Sequence, residues 1–348
     1  MLVQPFTCNN PIDFHALNEY ILRAIPSGRD FRDENYLPLP EKYSGLYQNA
    51  KQLILRLRCY RELKEVRRLY KSIGSLGSGN HFIELDKDES GLYYLVVHTG
   101  SRNLGKQVAD IYQKLAIKCQ SGWDKLLEEK NRIIEEYKQA GRKSELQDVI
   151  RNLHNSFKTR KLTIPQDLCY LEGQFREDYL HDMCICQHWA HINRKLFVNL
   201  IMDFIVGKGV VSSEEHFRPF ESVHNYIGND NIIRKGAISA RLGEKCIIPL
   251  NMRDGSLICI GKGNEDWNFS APHGAGRIMS RSQAFKEISL EDFKKSMEDV
   301  YSETVTEYTK DESPMVYKSK HEIMDNINDT VDIENVIKPV FNFKAADL

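Results

Sequence analysis

Residues 74–85 read Gly-Ser-Leu-Gly-Ser-Gly-Asn-His-Phe-Ile-Glu-Leu, and residues 92–105 read Leu-Tyr-Tyr-Leu-Val-Val-His-Thr-Gly-Ser-Arg-Asn-Leu-Gly. The apolar runs at 81–85 and 92–97 have the length and composition of β-strands. They place His81 at the start of one strand and His98 at the end of the next. Two strands with a histidine at one end of each are therefore the first prediction from the sequence.

The composition of the chain describes a globular protein without a strong overall charge. Its 348 residues include 48 Lys or Arg and 49 Asp or Glu, a net charge of −1, so that a polyanion would have to be bound at a local site. The 41% hydrophobic content excludes wholesale disorder, and no apolar run reaches the roughly 18 residues that span a bilayer. Without an apparent secretory signal or a disulfide framework among the eight cysteines, we expect a cytoplasmic protein with free thiols and no membrane partner.

A helical stretch is predicted from about residue 42 to residue 73, and its second part is strongly basic. Residues 51–71 contain eight Lys or Arg side chains against Glu62 and Glu65, a local charge of +6. Two interpretations stay open: a solvated helix face, or a surface that contacts a phosphate backbone.

Further along the chain, helical and strand-like segments alternate. Residues 123–161 are rich in Glu, Lys, Leu and Ile at helical spacing, with a break near Gly141, which predicts a helical hairpin insertion. A long helix is predicted from about residue 177 to residue 204, and the stretch from 206 to 281 is rich in strands and glycine. Glycines in the last part of that stretch suggest backbone brought close to a ligand.

Four histidines stand beside apolar runs in contexts rich in Gly, Asn or Ser: His81, His98, His224 and His273. Histidine binds transition metals and can also act as a nucleophile. For each histidine taken alone, a hydrogen-bonded imidazole without a catalytic role stays the open alternative. The segment His273-Gly-Ala-Gly-Arg277 has in addition the features of a phosphate site, because small residues let backbone amides approach an anion and a guanidinium offers a bidentate fork.

Several of these segments, in this order, resemble the motifs of the RtcB-type RNA ligases. They are Gly74 to Glu84, His98 to Arg102, His181 to Arg194, His224 to Tyr226, Arg234 to Ala237, Ser270 to Arg281, Pro314 to Lys318, and Lys344. The resemblance implies an α+β fold of the RtcB type, with a β-rich core around a metal and nucleotide cleft and with peripheral helices. It also implies a single catalytic domain over residues 1–348.

The same resemblance implies a ligase that depends on GTP and Mn²⁺ and acts in RNA repair or tRNA splicing. It would join an RNA 3′-phosphate or 2′,3′-cyclic phosphate end to a 5′-hydroxyl RNA end. His273 would be the catalytic nucleophile that carries GMP and passes it to the RNA 3′-phosphate. His81, His98 and His224 would bind manganese, two ions in the complete protein, and Arg102 would contact RNA or phosphate. The residues implied to bind the nucleotide are Asn80, Glu84, Asn225, Ser256, Gly274, Ala275, Gly276, Arg277, Tyr317 and Lys344.

The chain departs from the family pattern near its N-terminus. The family has an upstream Asp-x-Gly-Cys-Gly-Met segment whose Asp and Cys bind metal, and Met1 resembles the Met of that segment, while neither Cys8 nor His15 falls at a ligand position. Two interpretations stay open: a start codon assigned too late or a shortened chain, or a natural short paralogue with impaired metal binding. The second predicts an RNA-end-binding protein without ligase activity, and a metal phosphohydrolase is a third possibility.

Overall fold

The computed structural model describes residues 1–157, 161–210 and 217–345, and these residues divide into two compact units. The first unit comprises the described residues of Met1–Ile54, Glu65–Arg102 and Gln187–Leu348. The second comprises the described residues of Leu55–Lys64 and Asn103–Cys186. The single catalytic domain predicted from the sequence stays a prediction.

A seven-stranded antiparallel sheet forms the centre of the first unit. Across the sheet its strands are β4 (Phe220–Glu221), β1 (Leu2–Phe6), β3 (Tyr93–His98), β2 (Phe82–Lys87), β10 (Val331–Lys344), β8 (Gly255–Gly261) and β7 (Lys245–Asn251). The two edges approach each other, since the amide of Ile247 in β7 donates a hydrogen bond to Ser222 Oγ, next to β4, at 3.0 Å. The sheet therefore curls and has an inner face.

Both faces of strands β2 and β3 are buried, which explains why the sequence shows nearly continuous apolar runs there. Ile83 and Leu85 pack with Val97 of β3 in the core on the outer face. Phe82 and Val96 belong to the core on the inner face. The two strands predicted from residues 81–85 and 92–97 are thus confirmed, with their ends shifted by one or two residues.

A second, three-stranded antiparallel sheet contains His224, and one of its strands ends directly before His273. It consists of β5 (His224–Ile227), β6 (Ile233–Ser239) and β9 (Ser270–Pro272), with β6 in the middle. His224 pairs with Ile238 of β6, and Pro272 pairs with the neighbouring Ala237. This register brings His224 and the residue before His273 to the same end of the sheet.

Helices make up much of the rest of the part of the chain that the structure describes. They are α1 (Phe14–Ala24), α2 (Ser44–Leu55), α3 (Val66–Lys71), α4 (Arg102–Gln120), α5 (Trp123–Gln139), α6 (Leu146–Ser156), α7 (Gly173–Gly207), α8 (Arg281–Glu287), α9 (Leu290–Ser296) and α10 (Lys320–Asn326). The mixed helix-and-sheet class predicted from the sequence is confirmed. Helices α5 and α6 form the predicted hairpin as far as residue 157, and residues 158–160 of that prediction lie outside the described residues. Among the described residues, no helix combines the length and the apolar character needed to cross a membrane.

The helical stretch predicted over residues 42–73 is helical in separate pieces, with a break that the sequence did not predict. Helix α2 ends at Leu55, and α3 begins only after Glu65, which has a left-handed φ of 50°. Between them, the buried carboxylate of Asp182 accepts hydrogen bonds from the amides of Arg58 (2.8 Å) and Cys59 (3.0 Å). These amides bond to a side chain rather than to helix carbonyls, so helical periodicity in the sequence does not reveal the break. Both interpretations of the basic segment stay predictions.

Candidate functional site

A cavity of about 280 Å³ lies in the first unit, at the edge of the seven-stranded sheet. Ten residues predicted as site residues line it: Asn80, Glu84, His98, His273, Gly274, Ala275, Gly276, Arg277, Tyr317 and Lys344. Seven lining residues were not predicted: Phe82, Pro249, Leu250, Asn251, Met252, Gly255 and Arg281. The remaining predicted residues are not part of the lining: His81, Arg102, His224, Asn225 and Ser256.

The strand register explains why residues far apart in sequence meet where the strands β2, β3 and β10 begin or end. Phe82, at the start of β2, pairs with His98 at the end of β3 on one side. On its other side it pairs with Lys344 at the end of β10. Directly opposed residues of antiparallel strands point to the same face, so these three side chains share one wall of the cavity.

The four candidate histidines form a continuous row that joins the two sheets. The ring centroids of His81 and His98 are 5.5 Å apart, and those of His98 and His224 are also 5.5 Å apart. The ring of His273 follows at 4.8 Å from that of His224. The structure thus brings together the three predicted metal ligands and the predicted nucleophile.

Burial keeps the first three imidazoles of this row neutral. It lowers the pKa of His81 and of His224 to about 4, and it holds the pKa of His98 well below the ordinary value for histidine. The Nδ1 atom of His81 lies 2.9 Å from the carbonyl oxygen of Leu76, an arrangement in which Nδ1–H donates and Nε2 keeps its lone pair. Neutral imidazoles have the lone pairs that metal binding requires.

The imidazole nitrogens of the histidine row are of a type that binds transition-metal ions. The Nε2 atoms of His98 and His224 face each other at 3.2 Å. Manganese accepts imidazole as well as oxygen ligands. Among residues 1–157, 161–210 and 217–345, however, no group of three or more His, Cys, Asp or Glu side chains is arranged to hold a metal ion. The imidazoles therefore fit the predicted ion as ligands without forming a complete three-ligand site.

The glycine loop before β2 holds His81 and Arg102 behind the cavity. Gly77 has φ +96°, and a Cβ atom there would lie 1.8 Å from Arg102 Nη1 and 2.5 Å from His81 Nδ1. Only glycine permits this packing and this backbone conformation. Arg102 donates hydrogen bonds to Ser75 Oγ (3.2 Å) and to the carbonyl of Gly28 (2.8 Å). Its predicted contact with RNA or phosphate stays a prediction.

Several donors of the loop after β9, which the sequence suggested for binding an anion, form hydrogen bonds within the protein. The amides of His273 and Ala275 donate to the carbonyls of Gly236 (3.3 Å) and Pro249 (3.1 Å), so these two amides do not face an anion. Arg277 donates through Nε to the carbonyl of Met279 (3.2 Å).

All three nitrogens of the Arg277 guanidinium contact the protein. Besides the bond from Nε, Nη1 donates to Glu312 Oε1 at 3.2 Å, and Nη2 donates to the carbonyl of Asp311. Three of the five N–H groups of Arg277 thus bond within the protein, and its predicted contact with phosphate stays a prediction. Arg281 also lines the cavity. Its Nη1 atom lies 3.3 Å from Asp311 and its Nη2 atom 3.6 Å from Glu312, while 53% of its side chain is exposed. It belongs to the quoted motif but was not named as a site residue.

Two acidic residues on β2 point to the inner face of the sheet, because residues two apart in a strand share a face. Glu84 lines the cavity and accepts a hydrogen bond from Asn342 Nδ2 at 2.5 Å. Asp86 is fully buried, and neither of its carboxylate oxygens accepts a hydrogen bond from a described side chain or amide. Burial, followed by the negative charge of Glu84, raises the pKa of Asp86 well above its ordinary value.

Comparisons with known proteins match this chain to one family. The model of the family "tRNA-splicing ligase RtcB" matches residues 58–345. The chain is 31% identical over 289 residues to the RNA-splicing ligase RtcB of Escherichia coli K12, which covers 79% of this chain and 62% of that protein. It is 26% identical over 249 residues to the tRNA-splicing ligase RtcB of Aeropyrum pernix, covering 63% of this chain and 47% of that protein. The chain thus spans less than two thirds of the length of these relatives.

Proposed function

The chain belongs to the RtcB family, and we propose that it is an RNA ligase that joins a 3′-phosphate or 2′,3′-cyclic phosphate RNA end to a 5′-hydroxyl end. The relatives named above are RNA-splicing and tRNA-splicing ligases, which supports this activity. RNA repair or tRNA splicing in the cytoplasm is the proposed setting. The RNA ends and GTP are the proposed partners.

The observation that carries the proposal is the position of His273. It lines the cavity, and its ring lies 4.8 Å from that of His224 at the end of the histidine row. In the proposed reaction an imidazole nitrogen of His273 forms a bond to the α-phosphorus of GTP, and pyrophosphate leaves. The GMP then passes to the RNA 3′-phosphate, and the 5′-hydroxyl of the second RNA end attacks that phosphate and releases GMP.

Other residues of the cavity would orient the nucleotide. We propose that Lys344 and Tyr317 contact the guanine base and that Glu84 and Asn80 contribute to the same pocket. Manganese, held by imidazoles of the histidine row, would supply positive charge against the triphosphate. Arg281 is a further candidate for phosphate binding because much of its side chain is exposed at the cavity.

Covalent labelling tests this proposal directly. The protein is incubated with [α-³²P]GTP and Mn²⁺, and acid-labile label on the polypeptide is measured. His273→Ala should reduce the label to background, because the bond to phosphorus needs that imidazole. His154→Ala, which changes an exposed histidine of α6, is the matched control and should keep the wild-type label.

Three results would count against the proposal. Label that persists in His273→Ala would exclude that residue as the nucleophile. A wild-type protein that takes no label but retains RNA with a 3′-phosphate end would support the non-catalytic RNA-end-binding alternative. Phosphate released from cyclic-phosphate RNA in the absence of GTP would support a phosphohydrolase.

A further inference from the structure

Glu312 lies behind the cavity wall and accepts hydrogen bonds from three residues that line it, while Nη2 of a fourth, Arg281, lies 3.6 Å from its Oε1 atom. Its Oε2 atom accepts hydrogen bonds from Lys344 Nζ at 2.6 Å and from the Tyr317 hydroxyl at 2.7 Å. Its Oε1 atom accepts one from Arg277 Nη1 at 3.2 Å. Glu312 itself is buried and is not among the lining residues. One carboxylate thus connects three cavity groups from separate parts of the chain.

The local backbone places this carboxylate firmly. Glu312 is the last residue of a 3₁₀ helix, Glu307–Glu312, that starts after Thr306 with a reciprocal capping arrangement between Thr306 and Thr309. A second 3₁₀ turn, Pro314–Val316, follows at once and leads into Tyr317. Because Pro314 has a restricted φ, the connection between the Glu312 carboxylate and the Tyr317 ring has little freedom.

The charges around Glu312 keep it ionised. Burial by itself would raise its pKa, but the ammonium of Lys344 and then the hydrogen bond from Tyr317 and the charge of Arg277 lower the pKa below the ordinary value. Burial, followed by the charge of Glu312, raises the pKa of Tyr317, so the phenol keeps its proton and donates a hydrogen bond to Glu312. Lys344 uses one N–H for Glu312, and an ammonium has three. Its other N–H groups are available to an acceptor in the cavity.

We propose that Glu312 is a positioning residue that fixes the Lys344 ammonium and the Tyr317 ring for recognition of the nucleotide base. Two donors share one oxygen atom, so both are held in a single arrangement. The Lys344 ammonium then offers donors to a base edge with an acceptor, as guanine has in O6, and it does not match the amino group that adenine has at that position. This inference rests on the proposed function, in which Lys344 and Tyr317 contact the guanine.

Loss of the hydrogen bonds to Glu312 should reduce the preference for guanine more than it reduces the rate of His273 labelling. In Glu312→Gln the side-chain shape is kept, but the charge that holds the buried ammonium is lost. A site built to hydrogen-bond a substrate group discriminates strongly only while its own polar groups are oriented. Glu312 forms its hydrogen bonds with Lys344, Tyr317 and Arg277 and not with His273. The rate at which His273 forms its bond to phosphorus should therefore change little at saturating GTP.

The test combines nucleotide binding with labelling rates in Glu312→Gln, Glu312→Asp and wild type. Glu322→Gln is the matched control, since Glu322 forms a similar carboxylate–ammonium pair with Lys318 (2.6 Å) on the surface. We expect Glu312→Gln to weaken GTP binding by about tenfold or more and to lose most of the preference for GTP over ATP. The maximal labelling rate should change by less than about threefold, and Glu312→Asp should recover part of the preference. The control should match wild type.

A second measurement does not depend on GTP. Urea unfolding of wild type, Glu312→Gln, Lys344→Met and the double variant reports whether the two side chains stabilise each other. Because Lys344 Nζ donates to Glu312 Oε2, the loss of stability in the double variant should be smaller than the sum of the two single losses. Additive losses, or an unchanged preference for GTP over ATP, would overturn the inference. If wild type takes no GTP while the two losses are not additive, the proposed function fails and the coupling of Glu312 to Lys344 stands.

Discussion

Two carboxyl groups in the first unit are almost equally buried and yet have opposite electrostatic surroundings. Glu312 is 1% exposed and faces an ammonium, two guanidinium groups and a phenol. Asp86 is 0% exposed, and the charged group whose effect on it is strongest is the carboxylate of Glu84. The pKa of Glu312 is below its ordinary value, whereas that of Asp86 is well above it. Burial therefore does not decide the charge of a carboxyl, because the donors around it do.

The region around Glu312 and the inner face of β2 therefore differ in their electrostatic character. The wall around Glu312 is charged and ties cavity residues together through short hydrogen bonds. The inner face of β2 below Glu84 carries an acid that is more stable in its protonated form. A protonated Asp86 can donate a hydrogen bond to the neighbouring Glu84, whereas two carboxylates would repel each other. We expect substitutions at the two positions to change stability in opposite directions.

The largest effect is expected at the charged wall. Glu312→Leu leaves the buried ammonium of Lys344 without its partner and should lower the free energy of unfolding by about 3–5 kcal/mol. The double variant Glu312→Leu with Lys344→Met removes both charges and should be less destabilised than the single variant. Urea unfolding of the full chain at pH 7 measures both. Equal losses in the two variants would show that the pair is not coupled.

A smaller effect with the opposite sign is expected at Asp86. In the unfolded chain an Asp ionises near pH 4, whereas in the folded protein Asp86 keeps its proton to a higher pH. Between the pKa of Asp86 in the unfolded chain and its higher pKa in the folded protein, the wild-type protein loses up to about 1.4 kcal/mol of stability per pH unit. The loss arises because only the unfolded state gains from ionisation in this pH range. Asp86→Asn removes this loss and keeps a donor toward Glu84.

The pH dependence of unfolding distinguishes this explanation from a simple packing effect. Asp86→Asn should be more stable than wild type at pH 7–8, and the difference should vanish as the pH falls toward about 4. Thermal unfolding between pH 4 and pH 8 measures the difference. A gain that is constant over this range would argue against a raised pKa of Asp86.

The smallest effect is expected for an ion pair of the same chemistry on the surface. Arg142 and Glu145 form an exposed pair at the turn between α5 and α6. Solvent screens both charges, so Glu145→Gln should leave the urea midpoint unchanged within error at physiological salt. A loss comparable to that of Glu312→Leu would mean that burial is not the source of the difference between the two pairs.

Much of the site was visible in the sequence because it depends on local patterns. The apolar runs of β2 and β3 and the glycine-rich contexts of the four histidines identified residues that the structure brings into one row. Glu312 and Asp86 were missed, since neither stands in such a context. The break in the helical stretch predicted over residues 42–73 was missed for a related reason, because Asp182, which binds the amides of Arg58 and Cys59, lies more than a hundred residues away.

The sequence by itself determined the family, the strands that carry His81 and His98, and the helical hairpin, because periodicity and motif order are properties of neighbouring residues. The tertiary structure alone decided which charges are paired. Lys344 and Arg277 lie 32 and 35 residues from Glu312 in the chain, and they meet its carboxylate only through the ends of β10 and the loop after β9. Electrostatic energy depends on distance in space and on exclusion of water, and both arise only when the chain has folded.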